Sequence, residues 1–118
     1  MVVVDLLLTN HRLAPSVQSQ PVVSIRRWRI VTTASGEEHL TGLLENGYTW
    51  RVTSPVVEFK ASARRIWTSS GRQYELVGPP AIDGADVIVI AAQLLINGLV
   101  DTENTSEIYW QAMTNACQ

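Results

Sequence analysis

Between residues 22 and 80 turn formers recur at short intervals, and this punctuation limits the fold more than any other feature of the chain. Ala34-Ser35-Gly36, Asn46-Gly47, Ser54-Pro55, Ala61-Ser62-Ala63, Ser70-Gly71 and Gly78-Pro79-Pro80 separate runs rich in β-branched and aromatic residues. Such runs read as strands, and strands joined by turns this short pair antiparallel with their neighbours. The segment therefore predicts an antiparallel β-meander of five or six strands. Its firmest local point is Asn46-Gly47, because Asn-Gly between strand-like runs is the strongest short-range hairpin signal.

After the double proline the pattern changes from strands to helices. Asp86 is placed to cap a helix running through about Asn97, with Gly98 as its stop. Asn104, followed three residues later by Glu107, has the spacing of a capping box that opens a second helix through about Ala116. At 118 residues the chain is one domain. The expected order is an N-terminal strand and linker (1–21), the meander (22–80) and a helical end (81–118). The expected class is α+β.

The first helix is apolar almost all round, with Gln93 and Asn97 as its polar strip. One sheet face covers about half of such a helix. The remainder needs the second helix, the N-terminal strand or another subunit, so a homodimer is one expected assembly. No apolar run reaches membrane-spanning length; VIVIAAQLLI (87–96) is about half of what a bilayer requires. The opening MVVVDLLLTN lacks a positive leading segment and is interrupted by Asp5, so it reads as a strand and not as a secretion signal. Cys117 is the single cysteine. It has no intrachain partner, which points to a reducing cytoplasm.

No chemistry-bearing constellation emerges. His11, His39 and Cys117 have no metal-ligand spacing, and both histidines read as surface residues. No nucleophile elbow occurs, and the glycines are isolated turn residues rather than a phosphate cradle. The carboxylate pairs Glu37-Glu38 and Asp101/Glu103 fall at strand-entry and loop positions, where solvated acids are usual. The reading is a non-catalytic protein without a cofactor or metal.

Charge is distributed unevenly behind a formal net charge of −2. Residues 22–78 carry eight basic and five acidic side chains, whereas 79–118 carry five acidic and none basic. Eight of the nine basic residues are arginine, the side chain suited to planar recognition of carboxylates and phosphates. Strand alternation sorts the sheet into an apolar face with Trp28, Ile30, Trp50, Val52 and Ile66 and a second face with Arg27, Arg29, Arg51, Arg65 and Trp67. That second face is the candidate partner-binding surface. Its competing explanation is cross-strand pairing of the arginines with Glu37, Glu58 and Glu75.

WRVTSPVV (50–57) and TSSGRQYELVGPP (68–80) together resemble a motif of small uncharacterised proteins of proteobacteria and their phages or other mobile elements. The shared residues form turns and strands, so the resemblance implies a shared fold and carries no catalytic residue. It also implies an accessory role such as inhibition of a host defence complex. Two function classes follow. The first is a protein-interaction module, because arginine and tryptophan dominate interface hot spots. The second is a nucleic-acid or nucleotide binder using the same Arg/Trp face. Net negative charge and an acid-only C-terminal third favour the first.

Overall fold

The computed structural model describes residues 17, 18 and 20–116. Strands β1 (Val22–Thr32), β2 (Glu38–Leu44), β3 (Trp50–Lys60), β4 (Arg65–Thr68) and β5 (Gln73–Val77) are followed by helix α1 (Gly84–Ile96), a two-residue strand β6 (Glu103–Asn104) and helix α2 (Ser106–Ala116). The α+β class and the order of strands then helices are as the sequence predicts. The N-terminal strand expected within residues 1–10, together with His11 and Cys117, lies outside the described residues.

The sheet is mixed rather than purely antiparallel. Consecutive strands from β1 to β5 pair antiparallel, and β5 then pairs β1 in parallel, Val22 with Gln73 through Arg26 with Val77. An odd number of alternating strands leaves the first and last pointing the same way, so when the meander curls shut its closing ladder must be parallel. The result is a closed five-stranded barrel. Closure removes the exposed edges that an open meander would carry.

β1 is long enough to serve two neighbours along one edge, β5 at its start and β6 at Val31 and Thr32. The gap between them is filled. Trp28 O accepts from Ala81 N, Ile30 N donates to Ser106 Oγ, and Ile30 O accepts from Thr105 N, each within 2.9 Å.

A bulge in β1 determines which side chains enter the barrel. Arg26 pairs Leu43 and Arg29 pairs Thr41, so Arg27 and Trp28 together face the single residue Gly42. Arg27 takes a left-handed conformation (φ 49°). The extra residue switches the alternation, and the buried set runs Val23, Ile25, Trp28, Ile30. Gly42 is required by the close approach. A Cβ there would lie 2.9 Å from both the Arg26 carbonyl oxygen and Ile25 Cγ1.

The Asn46-Gly47 hairpin forms, with a longer loop than a two-residue turn. Gly47 alone of the pair has positive φ (84°), and Asn46 Oδ1 accepts from Tyr48 N and Thr49 N instead. The Ser54-Pro55 bend lies inside β3, where the register slips between Val52 and Pro55 and Thr53 Oγ1 accepts from Leu40 N.

Two apolar clusters hold the domain. The larger fills the barrel with Trp28, Ile25, Ile30, Leu40, Ile66 and Leu76, and is closed by Tyr109 and Met113 of α2. The smaller lies on the outer wall, where Val31 and Val52 pack with Ile90 and Leu94 of α1. The single apolar face expected from alternation is therefore divided. Trp28, Ile30 and Ile66 point inward, while Val52 and the half-buried Trp50 belong to the outer cluster. Curling the sheet turns one face into a packed interior and leaves the other available to a helix.

Candidate functional site

The arginine set is dispersed by the same bulge and closure. Arg27 leaves β1 at the bulge and stands 3.8 Å from Asp86 of α1. Asp86 is thus an ion-pair partner in the first turn of α1. The N-cap is Asp83, whose carboxylate accepts from Ala85 N at 2.8 Å. Arg29 donates to Ala81 O at 3.4 Å, and Arg51 donates to the hydroxyl of Tyr74, a residue of the barrel interior.

Arg65 and Trp67 share the outer face of β4. Arg65 donates to Gln73 at 3.1 Å and lies 4.0 Å from Glu75; Trp67 stands between Glu58 and Gln73 in the ladder. The structure thus groups Arg27 with Arg29 beside α1, and Arg65 with Trp67 on β4, while Arg51 turns toward Tyr74. Acids and amides alternate with the basic groups on β3–β5. This is the pattern of a cross-strand ladder rather than of a phosphate-binding strip. Gly42 inside an apolar run was the sequence sign of the bulge.

His39 is buried, contrary to its expected surface position. It lies opposite Val31 and Pro55, and its Nδ1 is 2.8 Å from Thr53 O. Among the described residues no group of three or more His, Cys, Asp or Glu is arranged to hold a metal ion. No helix among them is long and apolar enough to cross a membrane.

Two features missed by the strand reading stand out. The first is the outward side of α1. Ile90 and Leu94 face the barrel wall, and the opposite side carries Ile88, Ala91, Ala92, Leu95 and Ile96, all exposed and none charged. Ile88 is 70% exposed and Leu95 65%. Residues three, four and seven apart lie on one helix face, so Ile88, Ala91, Ala92 and Leu95 form a continuous stripe. The all-round apolar character of the helix was legible in sequence. Which side the barrel would leave uncovered was not.

The second feature is a groove of about 510 Å³ between α2, Phe59 and the β1–β2 turn. Tyr109 forms part of its floor. The Tyr109 hydroxyl donates to Glu38 Oε2 at 2.6 Å, and its ring meets Phe59 edge-on with centroids 4.7 Å apart. Burial raises the phenol well above its ordinary pKa, and the hydrogen bond to Glu38 and the negative charge of that carboxylate raise it further. The hydroxyl is therefore a fixed donor that holds the carboxylate in place.

These features define a small closed β-barrel with one helix as its plug and another on its wall. The chain matches no protein-family model, no curated protein and no solved structure.

Proposed function

We propose that this chain is a non-catalytic protein-interaction module that docks through the outward face of α1, and that a second copy of the chain is the occupant. The observation that carries the proposal is the uncharged stripe of Ile88, Ala91, Ala92 and Leu95 on a helix whose other side is already packed. Monomers seldom leave a contiguous apolar face of this kind in water. A two-fold suits it. Antiparallel copies of α1 would set Ile88 of one against Leu95 of the other, and Ala91 and Ala92 at the crossing would allow close approach. The stripe itself carries no charge, and the acids Asp83 and Asp101 lie beyond its two ends.

The local partners of the arginines support the protein-binding class over nucleic acid, since Arg27 and Arg65 already stand beside carboxylates. The resemblance over 50–57 and 68–80 extends the proposal to a cytoplasmic accessory role in a phage or mobile element. Inhibition of a host complex is the form of that role open to a docking domain without catalytic groups.

Light scattering at micromolar concentration tests the reading. The wild type should show twice the 13.0 kDa chain mass, and Ile88→Asp with Leu95→Asp should reduce it to one chain. A wild type of single-chain mass, or a dimer indifferent to both substitutions, overturns the assignment.

A further inference from the structure

The groove beside α2 has a chemistry of its own, separate from the face of α1. Its walls are apolar, formed by Phe59, Ala112 and the largely exposed Ile108, and a carboxylate is set among them. Glu38 is half-buried. Its Oε2 is engaged by Tyr109, and among the described residues Glu38 takes part in no ion pair. Among the described residues no basic side chain lines the groove, residues 79–118 carry none, and Glu103 pairs in register with Thr32 at the groove's edge. A partly desolvated carboxylate without a cation favours any ligand that supplies one.

We propose that the groove binds an arginine side chain presented by a partner polypeptide. The guanidinium would reach the Glu38 oxygen that Tyr109 leaves open, and the apolar stem would lie along Ile108 and Ala112. Arginine suits the site because its planar head packs against aromatic rings, here Phe59 and Tyr109, while its fork donates to several acceptors. The hydroxyls of Thr32 and Thr105, 3.2 Å apart at the same groove, supply further acceptors. Tyr109 acts as a positioning residue, fixing the carboxylate before the cation arrives. The buried phenol keeps its proton throughout the neutral range, so the arrangement is present in the free protein.

Amide chemical-shift titration of the full chain with blocked arginine amide, and with blocked citrulline amide as its neutral isostere, tests the proposal. Arginine should give saturable shifts centred on Gly36, Glu38, Ile108 and Ala112, and citrulline should give none of comparable size. Glu38→Gln keeps an acceptor for Tyr109 while removing the charge, and should weaken binding about tenfold or more. Ile108→Lys, at a position exposed enough to spare the fold, supplies an internal cation and should abolish the saturable shifts. Equal shifts with arginine and citrulline, arginine binding unchanged in both variants, or no saturable shift in the wild type would each overturn the proposal. None of these readouts depends on the mass of the assembly, so this site and the α1 interface can fail independently.

Discussion

The two helices of this domain solve opposite packing problems. α2 enters the open end of the barrel, buries Met113 completely and Tyr109 nearly so, and turns Glu107, Gln111 and Asn115 to water. Its one large aliphatic side chain left outside, Ile108, lines the groove beside the helix. α1 lies on the outer wall, buries Ile90 and Leu94 against Val31 and Val52, and leaves an apolar stripe on its far side. The plug inserts Tyr109 and Met113 into the interior, whereas the helix on the convex wall is touched along one line. The contrast shows that α2 closes the interior while α1 belongs to the fold on one side only, its apolar stripe lying outside both clusters.

The comparison breaks most readily at the plug. Met113→Ala should cost about 2–5 kcal/mol, because the cavity opens inside a barrel with rigid walls. Denaturant unfolding checks this, and a loss below about 1 kcal/mol would mean that the barrel closes without α2.

Packing capacity sharpens the contrast next. Gly42→Ala should destabilise by about 1–3 kcal/mol, since its new methyl meets backbone at the bulge. Ala92→Leu, adding more atoms on the outward side of α1, should leave unfolding of the single chain, at concentrations below assembly, within about 0.5 kcal/mol. Thermal melts of the two variants side by side decide whether the interior is full and the outer face open. Similar losses in both would contradict the assignment of the α1 stripe as uncovered within the single chain.

A titration separates the plug from the wall as well. The folded pKa of Tyr109 is raised, so the neutral phenol is favoured in the folded state. Its contribution to stability is complete below the unfolded value near 10 and declines as pH rises above it. Stability should fall above about pH 10 more steeply in the wild type than in Tyr109→Phe. Parallel pH profiles would show that the phenol is not held in the buried, hydrogen-bonded state described.

The smallest effect on stability is expected at the wall. Ile88→Asp with Leu95→Asp should leave unfolding of the single chain within about 0.5 kcal/mol per site, because neither side chain packs against the barrel. Any change should appear in the concentration dependence of the melt. A large loss at low concentration would mean that the stripe is covered within the chain.

Much of this architecture is written in local chemistry. β-Branched runs between turn formers yield the five strands in order, Asn46-Gly47 marks the β2–β3 connection, and the apolar period after Pro80 yields two helices. Those outcomes follow from backbone preferences that act over a few residues. Helix boundaries were less legible. Asp83, not Asp86, caps α1, and α2 begins at Ser106 after Asn104 has accepted from its backbone and hydroxyl. Several polar residues near each start compete for the cap, and the surrounding chain path selects one.

The sidedness of the sheet was decided by tertiary structure alone. Strict alternation placed four arginines and one tryptophan on one plane, but one extra residue opposite Gly42 and the closure of β5 onto β1 moved them onto different surfaces. Alternation is a local rule, while the bulge depends on contacts between residues about fifteen positions apart and the closing ladder on residues about fifty apart. The same holds for both surfaces proposed for binding. The sequence alone shows that 87–96 is too apolar to stand in water and that Glu38 and Tyr109 exist. Only the folded barrel determines which flank of α1 is left outside, and only the seating of α2 brings a carboxylate and a phenol 71 residues apart into hydrogen-bonding contact.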